Sequence, residues 1–133
     1  MSVREIQQDE NEGVTIALLE AIGDAFNRHD VDAIVDFFAE DGVFVLPKGS
    51  DYDGGHIVGK VALHAFFSEL METLPDIQWH PIDNRIDGNK GISEWRRQAT
   101  LPSGEKLDCL GLDIFTFKAG LVIKKDSYFK IIE

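Results

Sequence analysis

The chain is short of cysteine, of positive charge and of long apolar runs, and each shortage removes a class of protein. Its one cysteine, Cys109, leaves no internal disulfide to hold the fold. Set in an apolar stretch, it reads as a small core hydrophobe. Only 13 Lys and Arg stand against 24 Asp and Glu, for a net charge of −11. Such a charge repels phosphate backbones and anionic bilayers, so neither nucleic acid nor a membrane is an expected partner. No run of about 18 apolar residues occurs, and the opening MSVREIQQDENEG is polar and acidic, unlike a secretion signal. A soluble, cytoplasmic protein is expected. The histidines at 29, 56, 64 and 80 show neither HxH nor HExxH spacing. No metal site is expected from them, although His56 and His80 are a pair that a fold could bring together. There is no GxSxG, and Gly54-Gly55 lacks the pattern of a phosphate loop, so no nucleotide cofactor is implied and none is expected.

What is present fits one domain over residues 1–133, long enough to bury a core without disulfides or metals. Residues 1–12 have no periodicity and read as a flexible arm. Val14, Leu18, Ile22, Ala25 and Phe26 then recur at helical spacing up to Arg28-His29. His29, in the last turn, is expected to complement the helix dipole. Asp30 can cap a second helix with the apolar face Val31, Ile34, Val35 and Phe38, ending before an Asp41-Gly42 turn. Val43 to Leu46 is a short strand stopped by Pro47, and the turn-rich segment 48–55 follows, in a loop that carries Tyr52, Asp53 and His56. Gly59 opens a third helix with Leu63, Phe66, Phe67, Leu70, Met71 and Leu74 on its core side, ended by Pro75. His64 lies off that stripe and is expected in solvent. From Ile77 the period becomes that of strands: 77–86, 92–101, and a final hairpin turning at Lys118-Ala119-Gly120. Three helices before four long strands make an α+β chain, with a curved, mostly antiparallel sheet wrapping the helices.

The last hairpin holds the most unusual residue. Leu107, Cys109, Gly111, Asp113, Phe115 and Phe117 share one strand face, and Leu110, Leu112 and Ile114 share the other. A carboxylate on a strand apolar on both sides must be hydrogen-bonded, neutralised or lining a cavity. Asp126 and Tyr128 share one face of the last strand. If that face points inward, they join Asp113 in a constellation whose carboxylates take separate acid and base roles. On the neighbouring strand Trp95, Arg97 and Ala99 lie on one side and Glu94, Arg96 and Gln98 on the other. Either side is eligible to face inward, and Trp95 and Arg97 are the candidates for the binding side. Large apolar groups on the helices and sheet converge on a pocket expected to be walled by Phe38, Val45, Phe66, Trp95, Phe115 and Tyr128, with Tyr52 and His56 contributed by the loop. A face apolar on both sides of a strand also needs cover, which a second copy supplies in a homodimer.

The order helix-helix-strand-helix-four strands, together with Phe44 to Pro47, Gly59 to Phe67, Gly111-Leu112-Asp113-Ile114-Phe115 and Gly120 to Phe129, resembles the nuclear transport factor 2-like superfamily. The likeness is to its SnoaL-like and ketosteroid-isomerase-like branch, and it spans about Val14 to Ile132. It implies a cone-shaped α+β barrel with an apolar pocket, no cofactor, and pairing through the sheet. Asp113 matches the Asp-x-Phe element that resembles the one supplying the isomerases' oxyanion-hole acid, a carboxyl held neutral to donate a hydrogen bond. Leu46 stands where those isomerases place their general base, which removes that proton acceptor. In the epoxide-hydrolase branch the corresponding pattern has an Arg-x-Asp and a last-strand Asp, where this chain has Trp95-Arg96-Arg97 and Ser127. The resemblance therefore implies a cofactor-independent isomerase, cyclase or dehydratase-like enzyme acting on a small apolar carbonyl compound. The alternative is a non-catalytic ligand-binding or dimerisation module of the same fold.

Overall fold

The computed structural model describes residues 13–133; the arm expected over residues 1–12 lies outside them. Helix α1 (Ile16–Asn27) starts at Thr15, whose hydroxyl accepts from the Leu18 amide at 3.0 Å. It buries Leu19, Ile22, Ala25 and Phe26. The helix ends at Arg28, so His29 is beyond the last turn, in left-handed backbone at φ 58°. There its Nε2 donates to the Ile77 carbonyl at 2.7 Å, fastening the end of α1 to the sheet in place of the expected dipole contact. Asp30 caps α2 (Val31–Asp36) by accepting from the Ala33 amide at 3.1 Å.

Strand β1 (Phe38–Val45) begins earlier than the apolar run at Val43 suggested. Phe38 leaves the helix because it pairs in parallel with Val122, whose amide donates to the Phe37 carbonyl at 2.8 Å. Asp41-Gly42, expected as a turn, is a bulge within this strand, where the register shifts between Phe38 and Val43. His56 is likewise not in a loop: it opens the short strand β2 (His56–Val58) and pairs with Val45. Helix α3 (Lys60–Thr73) buries Leu63, Phe67 and Met71, with Phe66 and Leu70 packed at the margin of the core.

The meander follows as β3 (Gln78–Asp87), β4 (Lys90–Thr100), β5 (Lys106–Lys118) and β6 (Leu121–Phe129). The curved sheet has six strands in the order β2-β1-β6-β5-β4-β3, antiparallel except where β1 meets β6. It is an open sheet with β2 and β3 at its edges, so the expected barrel is not closed. His56 and His80 consequently occupy opposite edge strands and do not form the pair envisaged. On the α3 side the core is solid: Phe44 stacks on Phe67 with centroids 5.5 Å apart, and Phe66 and Phe38 pack on Phe67 at 5.7 and 6.3 Å. Burying each of Phe38, Phe44 and Phe67 contributes about 1.5–3 kcal/mol. Among the described residues no helix is long and apolar enough to cross a membrane.

The final hairpin closes through Ala119 and Gly120, with φ 52° and 79°, between the paired Lys118 and Leu121. Positive φ at both turn residues suits the right-handed twist of the strands, but alanine is strained there. Ala119→Asn should therefore raise the unfolding free energy by about 1 kcal/mol in urea titration. An unchanged or lowered value would count against a left-handed residue at this turn.

Candidate functional site

Register across the last three strands sets Ser93, Asp113 and Ser127 on one rung, between the rungs Trp95–Gly111–Phe129 and Gly91–Phe115–Lys125. Trp95, Asp113, Phe115, Lys125 and Ser127 are all buried. A side chain reaches diagonally across such a ladder, which is how both Trp95 and Lys125 come to Asp113. The indole Nε1 of Trp95 donates to Asp113 Oδ2 at 2.9 Å, and Lys125 Nζ donates to Oδ1 at 3.2 Å. Ser127 accepts from Lys125 Nζ at 2.9 Å and donates its own proton to Asp113 Oδ1. Gly111 makes room for the indole, since a Cβ there would stand 2.4 Å from Trp95 Cη2.

Three donors, one of them cationic, therefore converge on the Asp113 carboxylate. In this geometry Asp113 accepts at both oxygens, with Lys125 Nζ 3.2 Å from Oδ1. Lys125 is held as closely: Nζ lies 4.0 Å from the centre of the Phe44 ring and 5.2 Å from that of Phe26. Burial pushes the Lys125 ammonium below its ordinary value of 10.5, an effect that the Asp113 carboxylate opposes. Between that lowered value and 10.5 the unfolded chain binds more protons than the folded one. Lys125 thus costs stability at neutral pH, and the cost falls as pH rises through this window.

A cavity of about 330 Å³ opens beside the network, between α1 and strands β3 to β6. Its walls include Leu19, Ile22, Phe26, Trp79, Trp95 and Phe115, and Asp113 and Lys125 supply charged groups to the lining. Asn27, Asn84 and Ser93 add neutral polar groups, and Glu20, Asp24 and Glu94 add carboxylates. Asn27 is fixed by two bonds to the Trp79 backbone, accepting from its amide at 2.8 Å and donating to its carbonyl at 2.9 Å.

Of the six walls expected from sequence, Trp95 and Phe115 line this cavity. Phe38 and Phe66 belong to the solid aromatic packing on α3 and Val45 is buried in β1. Tyr128 is half exposed. The cavity lies against α1, not against α3, and this displaces the expected wall. Asp126 and Tyr128 do share a face, but it is the outer one: Tyr128 donates to Asp126 Oδ2 at 3.2 Å, and Lys124 Nζ lies 3.8 Å from the same oxygen. The Asp126 charge holds the Tyr128 hydroxyl above its usual value of 10.0.

The cause is a register shift between Thr116 and Phe117, which spends one extra residue of β6 after Val122. Val122 and Lys125, three positions apart, are both buried, so strict alternation from Val122 assigns the wrong face to everything after it. Lys125 and Ser127 were missed for that reason. Arg97 is on the inner side but outside the cavity lining, its guanidinium 4.4 Å from the centre of the Phe129 ring. Tyr52 is fully exposed, and His56 pairs with Asp53 at 3.0 Å near the surface; neither lines the cavity. His64 is at the surface as expected, 2.8 Å from Asp32.

Comparison with known proteins gives the same architecture. The SnoaL-like domain profile matches residues 19–124. A protein of unknown function from Burkholderia pseudomallei, described as NTF2-like, superposes with TM-score 0.77 at 18% identity, over 86% of this chain and 89% of that one. A candidate polyketide cyclase of Xanthomonas campestris pv. campestris gives TM-score 0.76 at 22% identity, over 86% and 88%. TerC, co-crystallized with polyporic acid, gives 0.74 at 19%, over 86% and 90%. At these identities the likeness is one of fold. No curated protein sequence matches significantly.

Removing one member of the buried pair should be far worse than removing both. Lys125→Met, which leaves Asp113 without its cation, should lower the unfolding free energy by about 3–5 kcal/mol, and Asp113→Leu with Lys125→Met should recover most of that loss. Denaturant titration of the two variants measures the difference; equal losses would contradict a coupled pair.

Proposed function

The chain belongs to the SnoaL-like domain family, and on that premise we propose that it binds a small, mostly apolar carbonyl compound and performs cofactor-independent acid–base chemistry on it. The observation that carries this reading is the 330 Å³ cavity, with aromatic and aliphatic walls and the Asp113–Lys125 pair in its lining. That volume suits a small molecule, and a few convergent polar groups on apolar walls are what orient one. In this reading the ligand's carbonyl oxygen accepts from Lys125, and the ammonium stabilises negative charge that develops there. Asp113 and Ser127 hold the ammonium in place and can exchange protons with it through the bonds already formed.

A second reading has its own support. Both Asp113 oxygens are already engaged, which leaves this carboxylate poorly placed to abstract a proton and favours a binding protein without turnover. The polyporic acid complex of TerC and the trimethylamine complex of a Catenulispora acidiphila protein of ketosteroid-isomerase-like fold fit either reading, as small molecules held by this fold. We also propose that two copies pair through the outer sheet face, where Leu110 and Tyr128 are about half exposed. Light scattering should then give about twice 14.9 kDa, and a monomer mass would refute the pairing.

The experiment that separates the readings uses cyclic ketones. Trp79 and Trp95 line the cavity, so their fluorescence reports occupancy. Binding should weaken about tenfold or more in Lys125→Met, the loss of one hydrogen bond from a charged donor. Exchange of the ketone's α-protons with deuterated solvent, followed by NMR, then decides whether the bound molecule turns over. Binding without exchange supports the second reading, and no binding by any ketone would overturn both.

A further inference from the structure

We propose that Lys125 is a covalent anchor, its side-chain amine condensing with the aldehyde or ketone carbon of a ligand to form an imine at the cavity wall. The inference rests on the reading that the cavity admits carbonyl compounds, and it goes further by assigning a bond-forming atom. Lys125 is the buried lysine of the chain: Lys48, Lys90, Lys106, Lys118, Lys124 and Lys130 are exposed and Lys60 is partly so. It lines the cavity, and so do Asp113 and Phe26, two of the groups around its Nζ. A lysine desolvated among aromatic rings gives up its proton more readily than one in water, and the free amine is the nucleophile. Burial moves Lys125 in that direction.

The neighbours supply the proton traffic that the condensation requires. The ammonium must first lose a proton, and Asp113 Oδ1 stands 3.2 Å from Nζ to take it, directly or through Ser127, which bonds to both. The amine lone pair then attacks the carbonyl carbon. The carbonyl oxygen becomes a hydroxyl by taking up one proton, and the nitrogen gives one up, leaving a neutral carbinolamine. Loss of that hydroxyl as water, with the proton returned by Asp113, leaves a carbon–nitrogen double bond. One carbonyl and one amine have become one imine and one water, with nothing oxidised or reduced. Because the proton from Asp113 leaves in the water, the imine keeps its N–H and is cationic, and the Asp113 carboxylate is its counterion. Trp95 keeps Asp113 oriented throughout through Oδ2, the oxygen not bonded to Lys125.

The test is to treat the full chain at neutral pH with benzaldehyde and sodium cyanoborohydride, which reduces an imine to a stable amine, and to map the modified lysines by mass spectrometry of peptides. Benzyl alcohol, of nearly the same shape but unable to condense, reports occupancy of the cavity by thermal shift. Lys125 should be alkylated before any exposed lysine, because it lines the cavity that holds the aldehyde and burial favours its free amine. Benzyl alcohol should slow that labelling, and Lys125→Arg should abolish it. Should Lys125→Arg not fold, the labelling order in the unaltered chain decides alone. Alkylation of exposed lysines first, with a thermal shift from benzyl alcohol, overturns the imine and leaves the pocket reading standing. If neither probe affects the protein, both fall.

Discussion

The structure depends on a charged pair buried where the sheet meets the first helix. Lys125 and Asp113 are both more than nine-tenths hidden from solvent, and together with Ser127 and Trp95 they satisfy one another's hydrogen bonds. An isolated charge in that position would be intolerable, and a paired one is often no more stable than an apolar substitute of the same volume. The pair is thus poorly explained by stability alone. Its position in the lining of a cavity gives it a reason to be there.

The surrounding architecture supports that placement. The β6 register shift turns Lys125 and Ser127 inward, and the long antiparallel ladder of β4, β5 and β6 brings Trp95 within diagonal reach of Asp113. Gly111 leaves the space that the indole fills. Helix α1, fastened at its end by His29 and Asn27 to the backbone at Ile77 and Trp79, forms the opposite wall of the cavity. On the α3 side aromatic rings pack on one another, and the cavity that holds the charged pair in its lining lies on the α1 side.

Much of this fold was legible in the sequence because it is written in periodicity. The 3.6-residue stripe of α3, the Asp30 cap and the four long strands all follow from local pattern, and the shared inner face of Cys109, Asp113, Phe115 and Phe117 follows from alternation. What was illegible depends on pairing between distant segments. Phe38 joins a strand because of Val122, and the apolar run from Val31 to Phe38 carries no sign of it. The site failed at the same kind of point. Asp113 was legible as a buried carboxylate, but one bulge residue in β6 exchanged Asp126 and Tyr128 for Lys125 and Ser127, and a lysine beside another lysine reads as solvated surface. The family resemblance gave the architecture and Asp113 but assigned no role to its partner, although Lys125 lies within the stretch Gly120 to Phe129 that carried the likeness.

The central claim is that Lys125 is a buried ammonium, paired with Asp113 and easier to deprotonate than the lysines at the surface. It is tested most directly by an NMR titration that follows the side-chain nitrogen signals of selectively ¹⁵N-labelled lysine, with Lys125 assigned by its absence in Lys125→Arg. The account predicts a Lys125 signal whose midpoint lies below those of Lys124 and the other exposed lysines and moves further down in Asp113→Asn. A Lys125 signal that titrates together with the exposed lysines, and is indifferent to Asp113, would contradict it.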